Sequence, residues 1–216
     1  MSGEPAIELR KVKSSALFSS VVDRYEMSDP AALNRQLVAE IARWRTVSKG
    51  LEVSNFGGWH SNATLFARPE PALRQVCEMI RAAMAQSIRR YWPEFDAARD
   101  EVIYEGWVNV NGPGAMNAPH AHPNAHLSGC YYVSVPESDI PRSGAIEFYH
   151  PAGALAQTTL FGKRMLQMNR SVTPVPGLML IFPAYLNHMV YPNKSSEERV
   201  TIAFNAIVTG NPRPAA

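Results

Sequence analysis

The chain has 216 residues, 46% of them hydrophobic and 19% charged, with a formal net charge of +2. Those proportions exclude a disordered chain and a membrane-embedded one, and the length suits a single domain, expected over 1–216, with a sizeable core. The positive charges concentrate only at Arg89-Arg90 and at Lys11 and Lys13, so no nucleic-acid partner is implied.

At the start, Met1 to Arg10 lacks the apolar run of a signal peptide, which predicts a cytoplasmic location, and residues 1–6 are expected to fray. Asp29 reads as the N-cap of a first helix with Pro30 at its first position, and Gly50 reads as its stop. Between them Leu33, Leu37, Ile41 and Trp44 recur at helical spacing. The stretch Asn55 to Ser61 is a turn-rich loop in which Gly57-Gly58 permits unusual backbone angles, and His60 there is a candidate for substrate contact or for a structural role. A second helix runs from Ala72 to about Tyr91, with Leu73, Val76, Cys77, Ile80, Met84 and Ile88 forming its apolar stripe and Pro93 ending it. Exposed apolar edges on these helices make a homodimer the expected partnership. Cys77 and Cys130 form no Cys-x-x-Cys pair and read as buried small hydrophobes in a reducing compartment.

After Asp100 the texture becomes β-rich. Glu101 to Asn111, Ser128 to Val135, Gly144 to Tyr149, Leu178 to Phe182 and Arg199 to Val208 read as strands separated by Gly, Pro and Asn. In the last of these, Arg199, Thr201, Ala203 and Asn205 share one face while Val200, Ile202, Phe204 and Ala206 share the other. The expectation is an α+β fold: a mainly helical support region over 1–99 and an antiparallel β core over 100–210, with the helices on the apolar back of the sheet. The stretch 151–173 lacks periodicity and reads as a loop with one short strand, a candidate lid.

Three of the six histidines fall within His120-Ala-His-Pro-Asn-Ala-His126, and His188 follows later. Histidines at i and i+2 on an extended segment project to one side and can grip one metal ion, and Pro119 and Pro123 exclude a helix here. Glu147 is a candidate carboxylate ligand of lower rank, because Ile146 and Phe148 read as the inward pair. His126 lies outside the His-x-His-Pro block and reads as a supporting or exposed residue. Arg199, with its planar two-pronged donor set, suits an anionic ligand; a surface ion pair with Glu197 or Glu198 is the competing reading.

The blocks Trp107-Val-Asn109-Val-Asn111, His120-Ala-His122-Pro123, Ser128-Gly-Cys-Tyr-Tyr132, Gly144-Ala-Ile-Glu-Phe148, Phe182-Pro-Ala-Tyr-Leu-Asn-His188 and Arg199-Val-Thr201-Ile-Ala-Phe-Asn205 stand in a distinctive order. That order resembles the Fe(II)/2-oxoglutarate-dependent oxygenases, and in detail a mostly uncharacterised family of them found in bacteria and their phages. The resemblance implies a double-stranded β-helix of the jelly-roll or cupin-like kind. It implies His120, His122 and His188 as ligands of Fe(II), and Arg199, Thr201, Tyr132 and Asn205 as the binding set for 2-oxoglutarate. Asn109 and Asn111 are candidates for orienting cosubstrate or water. The implied reaction couples oxidative decarboxylation of 2-oxoglutarate to hydroxylation of a C–H bond.

One position departs from the superfamily's usual pattern. His122 stands where most members carry Asp or Glu, so the ion would keep its full positive charge. Two alternatives therefore stay open: a cupin-like three-histidine dioxygenase that uses no 2-oxoglutarate, and a non-catalytic sandwich that binds a metal or a carboxylate.

Overall fold

The computed structural model describes residues 19–153, 159–160, 163–164 and 167–209. In chain order the elements are β1 (Asp23–Glu26), α1 (Ala31–Thr46), β2 (Asn55–Phe56), β3 (Trp59–His60), a 3-10 turn at Leu65–Ala67, α2 (Pro71–Tyr91), β4 (Val102–Asn111), β5 (Met116–His120), β6 (Leu127–Ser134) and β7 (Ile146–Tyr149). They continue with β8 (Thr159–Leu160), β9 (Lys163–Arg164), β10 (Asn169–Val172), β11 (Leu178–Pro183), β12 (His188–Val190) and β13 (Arg199–Val208). The expected fraying of residues 1–6 lies outside the described residues, as do 154–158, 161–162 and 165–166 of the candidate lid. The rest of 151–173 carries three short strands, β8, β9 and β10, where one was expected, because two- and four-residue strands leave no period to read.

Two antiparallel sheets face one another. One runs β1-β11-β6-β13-β4-β3 and the other β10-β7-β12-β5-β2, with β8 and β9 paired separately. Period-two alternation divides each strand of the first sheet between two layers. Val200, Ile202 and Phe204 of β13, Tyr131 and Val133 of β6, and Val108 and Val110 of β4 turn outward, into a core shared with the helices. Leu33, Leu37, Ile41 and Trp44 of α1 and Leu73, Val76, Ile80 and Met84 of α2 complete that core. The helices therefore cover the apolar back of the sheet, as their stripes require. Residues on the other face of the same strands point between the sheets, where Tyr132, Ile146, Phe148, Leu178, Leu180 and Phe182 form a second apolar cluster. This fold is the double-stranded β-helix with two buttressing helices.

Local boundaries depart from expectation in two places. Pro30, not Asp29, holds the N-cap position of α1, and its carbonyl accepts from Asn34 N at 2.8 Å. Asp29 Oδ1 reaches only Ala31 N, at 3.4 Å. The helix also ends at Thr46, short of Gly50, because Val47 leaves helical geometry. The N-terminus of α2 is satisfied from a distance: Glu40 of α1 accepts from Ala72 N at 3.1 Å and from Leu73 N at 3.0 Å. This carboxylate supplies the anion that helix starts favour.

Candidate functional site

The second sheet assembles the histidines. β12 lies between β7 and β5, and its first residue, His188, sits opposite His120 on β5 and Phe148 on β7. Cross-strand pairing thus brings His120 and His188 to a ring separation of 4.4 Å. His122, just beyond the end of β5, places its ring 5.0 Å from His120 and 5.4 Å from His188. One nitrogen from each of the three rings lies within 4.8 Å of the other two, a donor set that could hold one metal ion.

Backbone carbonyls orient two of these rings. His120 Nδ1 is 2.7 Å from Ala118 O, and His188 Nδ1 is 2.9 Å from Leu186 O. A proton on Nδ1 donated to the carbonyl leaves the Nε2 lone pair free for a ligand. Burial lowers the proton affinity of all three rings, to a pKa of about 4 at His122 and about 3 at His188, with the neighbouring imidazoles adding to the effect at these two. All three are therefore neutral near pH 7, the form that metal binding needs.

The first sheet supplies the opposite wall. Arg199 and Thr201 project from β13 beside Tyr132 of β6, and Thr201 is in register with Tyr132 on one side and Asn109 on the other. The Arg199 guanidinium lies 5.2 Å above the Tyr132 ring, and its Nη1 is 3.4 Å from Thr201 Oγ1. Arg199 is only 2% exposed and forms no ion pair among the described residues; Glu198 instead pairs with Arg45 at 2.7 Å. The Arg199 Nε and the Tyr132 hydroxyl are both buried without a hydrogen-bond partner. A buried guanidinium without a counter-charge costs several kcal/mol, so this wall is built to receive an anion. Burial also holds the Tyr132 phenol well above its usual pKa, so the hydroxyl keeps its proton for donation.

Both walls line a single cavity, together with Trp107, Asn109, Ser54 and Asn117. Among the described residues, no Asp or Glu lines it. Glu147 points to the outer side of its sheet, where its carboxylate accepts from Asn169 Nδ2 at 2.9 Å, Ser171 Oγ at 2.8 Å and Tyr191 OH at 3.0 Å. Its neighbour Ile146 does line the cavity.

The remaining candidates separate as follows. Asn205 does not line this cavity, and its Oδ1 accepts from Ser128 Oγ at 2.8 Å. His126 is drawn to the end of β13, where its Nδ1 accepts from Val208 N at 3.1 Å. His60 is buried behind the cavity wall, stacked 5.5 Å from the Trp107 ring. Asn111 hydrogen-bonds Asn117 at 3.3 Å, and Asn117 reaches Ser54 Oγ at 3.3 Å. Ser54 and Asn117 carry no sequence signal, because the pairing of the two-residue β2 with β5 brings them together. Cys130 also departs from expectation: Cys77 is buried, but Cys130 is only half-buried and lines the cavity.

The buried, unpartnered Arg199 Nε and Tyr132 hydroxyl fit the far carboxylate of 2-oxoglutarate, and three neutral imidazoles fit Fe(II). Comparison with known proteins points to the same fold and the same cofactors. Residues 105–205 match the model of the family described as "Putative 2OG-Fe(II) oxygenase". No curated protein matches the chain by sequence. Among solved structures, a prolyl-4-hydroxylase from Pseudomonas putida superposes with a TM-score of 0.59 at 20% identity, covering 88% of this chain and 93% of that one. A prolyl hydroxylase from Trichoplax adhaerens, in complex with a hypoxia inducible factor peptide, gives 0.61 at 11% identity over 87% and 83% of the two chains. HygX from Streptomyces hygroscopicus, solved with nickel and 2-oxoglutarate, gives 0.56 at 14% identity over 88% and 83%. Through its β core, residues 105–205, the chain is similar to the 2-oxoglutarate- and Fe(II)-dependent oxygenases, whose family model it matches there.

Proposed function

We propose that this oxygenase hydroxylates a C–H bond in a cavity where His120, His122 and His188 hold Fe(II) and Arg199, Thr201 and Tyr132 hold 2-oxoglutarate. The observation that carries the assignment is the buried guanidinium with no anionic partner, set across the cavity from three converging imidazoles. Bound iron and 2-oxoglutarate together supply the activation of oxygen.

The protein's own residues fix where that chemistry occurs. Arg199 supplies the charge that selects a dianion, and Thr201 and Tyr132 each present a hydroxyl toward it. The carbonyls of Ala118 and Leu186 aim two imidazoles inward. Phe148 and Phe182 pack 6.0 and 4.9 Å from the His188 ring and keep that side dry. Asn109 Oδ1, buried without a partner, offers an acceptor to a donor-bearing group in the cavity. Asn205 has no part in this assignment, because its carbonyl oxygen is engaged elsewhere. A cytoplasmic location is part of the same reading: it is supported by two free cysteines and by the lack, among the described residues, of a helix long and apolar enough to cross a membrane.

Anaerobic titration tests the proposal. With Fe(II) and 2-oxoglutarate added together, the protein should develop a visible metal-to-ligand charge-transfer band. Arg199→Ala should lose that band at cosubstrate levels that saturate the wild type, while still binding the metal. Iron uptake by the wild type with no band would favour an iron enzyme that works without 2-oxoglutarate.

A further inference from the structure

The three imidazoles are not held alike. His120 and His188 each have a ring nitrogen against a backbone carbonyl, at 2.7 and 2.9 Å. The His122 ring has no hydrogen-bond partner among the described residues; its only described ring neighbours are Trp107, His120 and His188. Its backbone, in contrast, is fixed at both ends: His122 N donates to Ala184 O at 2.9 Å, and His122 O accepts from Ala125 N at 3.1 Å. Only the side chain is free to leave its position.

What opposes that movement is Trp107. Its ring lies 5.8 Å from the His122 ring at 38°, and it is also stacked on His60 at 5.5 Å and 16°. His60 is in turn anchored through Nδ1, 2.6 Å from Ser61 O. Aromatic packing restrains a ring less directionally than a hydrogen bond. Among the described residues, no carboxylate lines the cavity to repel an incoming anion.

We propose that His122 is an exchangeable metal ligand, that Trp107 is the residue positioning it, and that its place on the metal can be taken by a carboxylate entering the cavity. The inference rests on the reading of the three histidines as a metal site. It gives the departure from the usual carboxylate a physical consequence: the enzyme carries a neutral third ligand that can yield to an anionic donor on the substrate side.

Cobalt(II) binding to the full chain, followed by titration and by visible absorption, tests this without any turnover. His120→Ala and His188→Ala should each lose affinity by about 100-fold or more, beyond the roughly 10–100-fold that loss of an outer-sphere partner costs. His122→Ala should lose less than about 10-fold, a smaller loss than for removal of such a partner. Trp107→Leu should weaken binding to the His122→Ala level, Trp107→Phe should keep wild-type affinity, and the double variant of His122→Ala with Trp107→Leu should be no weaker than His122→Ala alone. Added formate should drive the cobalt spectra of the wild type and of His122→Ala to a common end point.

A wild type that binds no cobalt would overturn the metal site itself, and the inference with it. A wild type that binds, with His122→Ala as damaging as the other two, would overturn the inference alone. So would formate end points that differ between the wild type and His122→Ala. Matching thermal melts of the apo variants establish that each is folded, and His→Gln versions replace any that are not.

Discussion

Arg199 brings a positive charge into a cavity otherwise lined by uncharged side chains, and the geometry of its charge matters as much as the sign. Arg199→Lys keeps the charge but replaces a planar fork with a point donor. It should weaken 2-oxoglutarate binding by about 10- to 100-fold, the equivalent of one charge-assisted hydrogen bond at roughly 1.5–3 kcal/mol; calorimetric titration into the metal-loaded protein measures this. Glu147 makes the complementary case. Its carboxylate is committed to Asn169, Ser171 and Tyr191 on the outer side of the sheet, so Glu147→Ala should cost about 1–2 kcal/mol of stability by denaturant unfolding, through the lost hydrogen bonds of donors that water can reach, and leave metal affinity unchanged. At this scale much of the site was legible. The pairing of His120 with His122 and the shared face of Arg199 and Thr201 follow from residue type and strand alternation, whereas His188 and Tyr132 entered through the family resemblance. The unequal restraint of the three histidines was not, because it depends on which carbonyl each ring meets, and Asn205 was misplaced because alternation gives the face of a strand but not the reach of the cavity along it.

The elements carry their own constraints on the site. Gly144 precedes β7 with φ of +62°, and a Cβ there would lie 2.8 Å from Arg199 Cδ. Gly144→Ala should therefore push Arg199 out of place, lowering 2-oxoglutarate affinity while metal binding alone persists; the left-handed backbone adds about 1–2 kcal/mol of strain. Paired titrations with metal and with cosubstrate separate the two effects. Far from the cavity, Glu40→Ala should cost about 1–2 kcal/mol in urea unfolding, because it removes the acceptor for two backbone N–H groups at the start of α2. Both long helices and β13 were readable because their periods persist over ten or more residues. The short β1, β2 and β3 were not, since two to four residues carry no period and their pairing is set by distant partners. The cap of α2 was hidden for the same reason: Glu40 comes from another helix.

For the molecule as a whole, the division into two apolar clusters separates folding from chemistry. The larger core joins both helices to the back of the first sheet and includes none of the three histidines. Removing the metal should therefore leave a folded protein. Saturation with a divalent metal at about a hundredfold excess over its Kd should add roughly 2.7 kcal/mol, or about 5–10 °C in Tm for a chain of this size, and a chelator should return the melt to the apo value without unfolding the protein at room temperature. The most direct test of the central claim is iron-edge anomalous diffraction from crystals grown anaerobically with Fe(II) and 2-oxoglutarate. The account predicts one iron peak bonded to nitrogens of His120, His122 and His188, with the far carboxylate of 2-oxoglutarate on Arg199. Iron bound away from this cavity, or a cosubstrate that leaves Arg199 without an anion, would contradict it.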